Sequence, residues 1–321
     1  MRKRARLFLA LALLALAGCA FSPYEPELQP IEPGRRPPPD VAVSIAHLGP
    51  CTDSPDRTLR FNSNYPVTVL VHGCNGSAGN FRSLAQLYAF HGQQSVCFSY
   101  NDRDSLVVSS GQLIGALDEL ASRLRDRRLT VIGHSMGGLV ARKALELERR
   151  GDWRHGDANI RLATISAPIS GIAVSSTCGV TALQWLSLGA LPGMCWLVTG
   201  DNWNEITPNS DFIRRPGAVL PSVRRYLKVV TDERDTCRRR TQDGNCLESD
   251  YVFSLAEQYQ PVVDGYPQLV NVEVDAGHVE IVGYKDVAPR KLLSILQRED
   301  MLAPTPPERR SALERLLALL Y

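Results

Sequence analysis

The feature that most constrains this chain is a glycine-rich turn between a short apolar segment and an amphipathic one. Residues 129–132 predict a buried strand, residues 133–138 (GHSMGG) form the turn, and residues 137–150 predict a helix. That helix has one apolar face, formed by Leu139, Val140, Ala144 and Leu147. Side chains two residues either side of Ser135 would collide in so tight a turn, so glycine is required there. The pattern therefore predicts Ser135 at a helix N-terminus, where the backbone dipole favours developing negative charge.

The rest of the chain repeats an alternation of strand and helix patterns. Further strands are predicted at 41–48, 67–71, 95–100, 160–166, 226–230 and 269–274. Further helices are predicted at 81–90 and 112–125, near 290 and, as an amphipathic tail, at 311–320. The strands are rich in Val, Ile and Leu, as strands buried on both faces are. The sequence thus predicts an α/β fold whose mostly parallel sheet is covered by helices on both faces.

A serine hydroxyl is a weak nucleophile at neutral pH and needs a base. His278 follows the last predicted strand, which places the base in the chain order serine, acid, histidine. The other histidines come before Ser135 or only twenty residues after it: His47, His72, His91, His134 and His155. The order therefore predicts His278 as the base.

Three aspartates are candidates for the acid that orients His278. Asp250 is preferred, because residues 249–254 (SDYVFS) resemble the S-D-G-x-V-x-x-x-S segment that carries the acid in many lipases. Asp232 and Asp235, which directly follow a predicted strand, remain as alternatives. The acid would hold the imidazole tautomer and stabilise the imidazolium.

Two backbone N–H groups are predicted to bind the oxyanion. One belongs to Met136, the residue after the nucleophile. The other belongs to Cys74, in the H-G-x-x-G loop (residues 72–76) that follows the predicted strand 67–71. Cys74 itself is a weaker nucleophile candidate than Ser135, because it lacks the strand-to-helix turn.

These segments together resemble the α/β-hydrolase superfamily, in particular bacterial lipases and PGAP-type esterases. The resemblance rests on VTVLVHG (67–73), GHSMGGLVAR (133–142) and TISAPISG (164–171), and it covers about residues 65–285. Ile169 stands where those lipases often have histidine, which weakens assignment to one subfamily. The resemblance implies hydrolysis of carboxylic esters, those of lipids among them, by a chemistry that needs neither a cofactor nor a metal. Acyl transfer or thioester hydrolysis by the same triad, and a non-catalytic envelope lipoprotein, are the alternatives.

The N-terminus predicts export and a membrane anchor. Residues 1–18 have a basic start and an apolar run that is too short to span a bilayer. The string LAGC, ending at Cys19, resembles the lipobox of bacterial lipoproteins, and Ala20 resembles outer-membrane sorting in Gram-negative bacteria. Cleavage before Cys19 removes four basic residues and leaves 32 against 34 acidic ones, a net charge near −2. That charge gives no case for nucleic-acid binding.

The domain organisation follows from composition. Residues 19–40 are a proline-rich tether, residues 41–300 the hydrolase domain and residues 301–321 a tail. Residues 172–222 break the strand–helix rhythm and hold Trp185, Trp196 and Trp203, so we expect a hydrophobic cap there, with a pair of core helices as the alternative. In an exported protein the cysteines predict disulfides, of which Cys237–Cys246 and Cys178–Cys195 close the shortest loops.

Overall fold

A computed structural model describes residues 35–173 and 204–321 of the protein. Its strands are β1 (Val41–Val43), β2 (Leu48–Gly49), β3 (Leu59–Phe61), β4 (Val67–Val71), β5 (Gln94–Phe98), β6 (Arg128–His134), β7 (Asn159–Ile165), β8 (Val223–Asp232), β9 (Cys237–Arg240), β10 (Cys246–Ser249) and β11 (Leu269–Asp275). Its α-helices are α1 (Arg82–Phe90), α2 (Leu106–Arg123), α3 (Met136–Ala144), α4 (Asp211–Arg214), α5 (Leu255–Gln258), α6 (Pro261–Asp264), α7 (Arg290–Arg298) and α8 (Arg310–Leu320).

The central sheet brings the ends of its parallel strands to one edge. Its strand order is β11-β8-β7-β6-β4-β5-β2, and all neighbours are parallel except β2 and β5. The register pairs Val71 with Gly133, and His134 with Ile165. Five residues that directly follow neighbouring strands therefore lie along the carboxyl edge of the sheet: His72, Ser135, Ser166, Glu233 and Ala276.

Helices cover both faces of this sheet, as predicted. Side chains alternate along β6, so that Val131 packs with residues of α2 and α3 while Ile132 packs with residues of α1, α7 and α8. The two apolar clusters bury these helices against the sheet. None of the helices in the described ranges is both long and apolar enough to cross a bilayer.

Some element boundaries differ from the predictions. The strand predicted at 41–48 is two short strands, separated by a turn at residues 46–47 in which His47 has a positive φ of 65°. The helix predicted at 137–150 ends at Ala144, and residues 147–152 form a 3-10 helix instead. The helix predicted at 112–125 begins earlier, at Leu106, where Ser105 accepts a hydrogen bond from the Val108 N–H and caps it.

Disulfides join Cys51 to Cys97 and Cys237 to Cys246. The second confirms the predicted pair, and it closes an antiparallel hairpin of β9 and β10 that is not among the predicted strands. Cys178 and Cys195 lie outside the described residues.

Part of the predicted cap belongs to the hydrophobic core. Residues 174–203, with all three cap tryptophans, lie outside the described ranges, as do residues 1–34. Between residues 204 and 222, Ile206, Ile213, Val219 and Leu220 are buried in the core. The Leu220 N–H donates to the Leu145 carbonyl at 2.7 Å, which ties this segment to the end of α3.

Candidate active site

The turn at Ser135 is held by close contacts between backbone atoms. Ser135 has φ 56° and ψ −129°, a conformation that non-glycine residues rarely adopt. A Cβ on Gly133 would come within 2.3 Å of the Gly137 carbonyl oxygen, and one on Gly137 within 2.3 Å of the His72 oxygen. The two glycines are therefore required sterically. The Ser135 N–H donates to the Ile165 carbonyl at 2.9 Å, which fixes the turn against the end of β7.

The loop after β4 lies directly against this turn. A Cβ on Gly73 would come within 2.8 Å of the Ser135 Cβ. Tyr100 supports the loop, because its hydroxyl donates to the His72 carbonyl at 2.8 Å and its ring stacks on the His72 ring. Cys74, which directly follows Gly73, is exposed, and Met136 begins α3 directly after Ser135. Cys74 and Met136, which are predicted to bind an oxyanion, thus directly follow the two residues of this contact, Gly73 and Ser135.

His278 lies at the same edge, and its ring is buried. Its Nδ1 lies 3.0 Å from Glu233 Oε1 and 2.8 Å from Ser166 Oγ. The Phe253 ring meets the imidazole edge-on. Nδ1 carries the proton in this arrangement, since a carboxylate can only accept a hydrogen bond.

His134, the residue before Ser135, contacts the His278 segment. Its Nε2 donates to the His278 carbonyl at 2.8 Å, and the two ring centroids are 4.8 Å apart. Burial, reinforced by the nearby His278, lowers the pKa of His134 to about 3. His134 is therefore neutral at physiological pH and can keep this hydrogen bond without adding charge.

Glu233 is buried, and both of its carboxylate oxygens accept hydrogen bonds. Its Oε1 accepts from the Ser166 hydroxyl (2.6 Å) and from His278 Nδ1 (3.0 Å), and the Thr231 hydroxyl oxygen lies 2.9 Å from it. Its Oε2 accepts the backbone N–H groups of Val252 (2.6 Å) and Phe253 (2.8 Å). Burial alone would raise the pKa of Glu233, but the hydrogen bond and charge of His278, with the Ser166 and Phe253 hydrogen bonds, lower it overall. Glu233 is thus ionised at neutral pH.

The predicted acid, Asp250, does not contact the His278 ring in this geometry. The Asp250 carboxylate accepts the backbone N–H groups of Val279 (3.1 Å) and Glu280 (3.0 Å) and pairs with Arg238 at 3.1 Å. The Asp250 carbonyl accepts the His278 N–H at 2.9 Å. Asp250 therefore holds the backbone of the His278 segment, while Glu233 holds its ring.

The two alternative aspartates do not reach the ring either. Asp232 pairs with Arg234, and Asp235 lies exposed on a turn with φ 59°. Glu233 lies between them in the chain and is not among the three predicted acids. The signal that could have indicated Glu233 is its position directly after a predicted strand. Side chains alternate along a strand, so those of residues 232 and 233 point to opposite sides.

Ser135 and His278 are linked through their neighbours. His134 bonds the His278 carbonyl, and Ser166, which bonds the His278 ring, follows the residue that accepts the Ser135 N–H. Within the described ranges, no hydrogen bond joins the Ser135 hydroxyl directly to the imidazole. In unliganded enzymes this contact often tightens only when substrate binds. The same ranges contain no cluster of three or more His, Cys, Asp or Glu side chains arranged to hold a metal ion.

Comparison with known proteins confirms the predicted α/β-hydrolase fold. A family model described as an α/β hydrolase of unknown function (DUF900) matches residues 58–177, a range that holds the Ser135 turn but ends before Glu233. The mature form of lipase BlEst2 from Bacillus licheniformis is similar in structure, with a TM-score of 0.50 and 15% identity over 78% of this chain and 96% of that chain. Its propeptide form gives a TM-score of 0.51 and 14% identity over 81% of this chain and 53% of that chain. No curated protein matches in sequence.

Proposed function

We propose that this protein is a serine hydrolase that cleaves carboxylic esters through an acyl-enzyme on Ser135, with His278 as the base and Glu233 as the acid. One observation carries the proposal. The strained Ser135 turn shares a sheet edge with His278, whose Nδ1 is bonded to a buried, ionised carboxylate. A nucleophile, a base and a group that orients the base are the parts that acyl transfer requires.

The reaction begins when Ser135 Oγ bonds to the ester carbonyl carbon and its proton moves to His278 Nε2. Glu233 keeps the proton on Nδ1 and stabilises the imidazolium that forms. The tetrahedral oxygen accepts hydrogen bonds from the Met136 and Cys74 N–H groups, at the N-terminus of α3. The carbon–oxygen bond to the alcohol then breaks, and Nε2 returns its proton to the leaving alcohol. Water, deprotonated by His278, cleaves the acyl-enzyme in the same way.

The substrate class we favour is a lipid-like ester. The supporting feature is the apolar, tryptophan-rich composition of residues 172–222, which enter the chain directly after the segment that follows β7. Because Ile206, Ile213, Val219 and Leu220 are buried in the core, we expect the apolar pocket for the acyl chain from the rest of this range. Each additional methylene of an acyl chain in such a pocket would contribute about 0.8 kcal/mol to binding. Acyl transfer and thioester hydrolysis use the same acyl-enzyme and remain the alternatives.

We also propose that Cys19 carries a lipid anchor that holds the protein in a bacterial outer membrane. The tether joins the domain at the amino edge of the sheet. The Pro38 carbonyl accepts from the Asn62 side chain, and the Asn62 N–H donates to Gln94, the first residue of β5. Ser135 lies at the opposite edge, so an anchored domain would present its active site away from the tether. Cys19→Ser should block lipidation, so that the protein is either released into the soluble fraction or retained in a differently processed form.

The direct test of hydrolysis combines a fluorophosphonate label with p-nitrophenyl esters of increasing acyl length. The wild type should gain one phosphonyl group as fluoride leaves, and it should hydrolyse the esters. Ser135→Ala should lose labelling and several orders of magnitude in kcat/KM. The matched control is Ser222→Ala, because Ser222 is another buried serine and its hydroxyl has no hydrogen-bond partner within the described residues. A wild type that neither labels nor turns over would favour the non-catalytic alternative.

A further inference from the structure

Ser166 is a buried residue in an unfavourable backbone conformation at the carboxyl edge of the sheet. It directly follows β7, has φ 45° and is inaccessible to solvent. A non-glycine residue in this region costs on the order of 1 kcal/mol, so the surrounding structure must hold it there. Such residues concentrate at functional sites. The side chain of Ser166 explains why serine, rather than glycine, occupies this position.

The Ser166 hydroxyl lies between the two charged partners of the proposed mechanism. It is 2.6 Å from Glu233 Oε1 and 2.8 Å from His278 Nδ1, and it accepts from the Thr231 hydroxyl at 2.8 Å. A hydroxyl has one proton and two lone pairs. The proton must go to Glu233, because an ionised carboxylate only accepts. The lone pairs then accept the protons of His278 Nδ1 and Thr231.

With this assignment, two oxygen atoms share the Nδ1 proton of His278 as acceptors. Glu233 Oε1 lies 3.0 Å from Nδ1 and Ser166 Oγ lies 2.8 Å from it. The hydroxyl dipole points its oxygen towards the imidazole and its hydrogen towards the carboxylate. That orientation stabilises an imidazolium beside a carboxylate more than it stabilises a neutral imidazole.

We propose that Ser166 is a positioning residue that, together with Glu233, holds the Nδ1-protonated tautomer of His278 and stabilises its imidazolium during acyl transfer. The inference rests on the proposed function and deepens it. Other charged or titratable groups around His278 act less directly. His134 contacts the His278 carbonyl in its neutral form, and the Arg238–Asp250 ion pair lies behind the backbone of the His278 segment.

A purely structural role for Ser166 makes a different prediction. If Ser166 were needed only to turn the chain at φ 45°, glycine would serve at least as well, because it adopts positive φ without strain. If the hydroxyl is needed, glycine and alanine should both impair the reaction. Ser166→Gly therefore separates the two roles, and it is also the variant that suits the backbone best.

The test measures kcat and KM for a p-nitrophenyl ester across pH in the full-length wild type, Ser166→Gly, Ser166→Ala and the control Ser222→Ala. Both Ser166 variants should lose about 10- to 100-fold in kcat, since a hydrogen bond to a group that becomes charged is lost. KM should change less than about twofold. The acid limb of kcat/KM should move to lower pH, because the imidazolium is less stabilised. Ser222→Ala should match the wild type.

The proposal would be overturned if Ser166→Gly kept the wild-type kcat and pH profile. It would also be overturned if Ser166→Gly had a lower kcat but an unchanged acid limb of kcat/KM. If Ser166→Ala does not fold, Ser166→Gly alone decides. Failure of the proposed function is recognised separately, because the wild type would then neither react with a fluorophosphonate nor hydrolyse esters.

Discussion

The Ser135 turn and the His278 segment lie at the same edge of the sheet, but different forces hold them. The turn is fixed by backbone contacts too close for a Cβ at Gly133 or Gly137. The His278 segment is fixed by polar side chains from distant parts of the chain, with Asp250 on its backbone and Glu233 on its ring. The turn is therefore sensitive to added atoms, whereas the His278 segment is sensitive to lost hydrogen bonds and charges.

The largest effect on the free energy of unfolding should come from adding one methyl group to the turn. Gly137→Ala places a Cβ against the His72 and Val71 carbonyl oxygens, so we expect unfolding to become easier by about 3 kcal/mol or more. The control is Gly115→Ala, in the middle of α2, where a new Cβ meets no atom within 4 Å. That variant should gain roughly 0.5–1 kcal/mol from helix propensity. Denaturant unfolding measures both, and equal effects at the two glycines would refute the steric account of the turn.

A smaller effect on the free energy of unfolding should follow from the protonation of His134, which contacts the His278 segment. The folded pKa of His134 is about 3, below the value near 6.5 of an unfolded histidine. The unfolded chain therefore binds more protons, so His134 contributes stability above pH 6.5 that is lost as pH falls towards 3. His134→Gln retains an N–H donor for the His278 carbonyl but does not titrate.

The prediction for His134→Gln is a flatter dependence of the unfolding free energy on pH. Between pH 6.5 and 5 the wild type should lose up to about 1.4 kcal/mol per pH unit more than the variant. Denaturant titrations at several pH values measure this difference. Parallel curves for the two proteins would mean that His134 is not held neutral by burial.

The two regions also differ in how much of their structure the sequence could predict. The turn at Ser135 depends on residues close together in the chain, so the glycine spacing and flanking patterns were sufficient to place Ser135 after β6. The position of His278 at this edge followed from the end of the strand predicted at 269–274. The parallel sheet followed from the alternation of apolar strands with amphipathic helices.

The contact of Glu233 with the His278 ring, on which its proposed role as the acid depends, could not be predicted by the same reasoning. Asp250 and Glu233 both bind the His278 segment, and their difference lies in which atoms each carboxylate meets. That choice depends on side-chain length and on the side of β8 to which residue 233 points. No sequence pattern indicates the contacts of Ser166 with Glu233 and His278, because these contacts form where the ends of β7, β8 and β11 converge.

The central claim is that Glu233, and not Asp250, orients the base, and one comparison of kcat/KM tests it most directly. Glu233→Gln leaves an amide at Nδ1 that no longer favours the required tautomer, so it should lower kcat/KM by about 10²- to 10⁴-fold. Asp250→Asn loosens the backbone of the His278 segment and should lower kcat/KM by no more than about tenfold, with thermal unfolding of both variants confirming that they fold. A smaller loss in Glu233→Gln than in Asp250→Asn would contradict the account and return the role of the acid to Asp250.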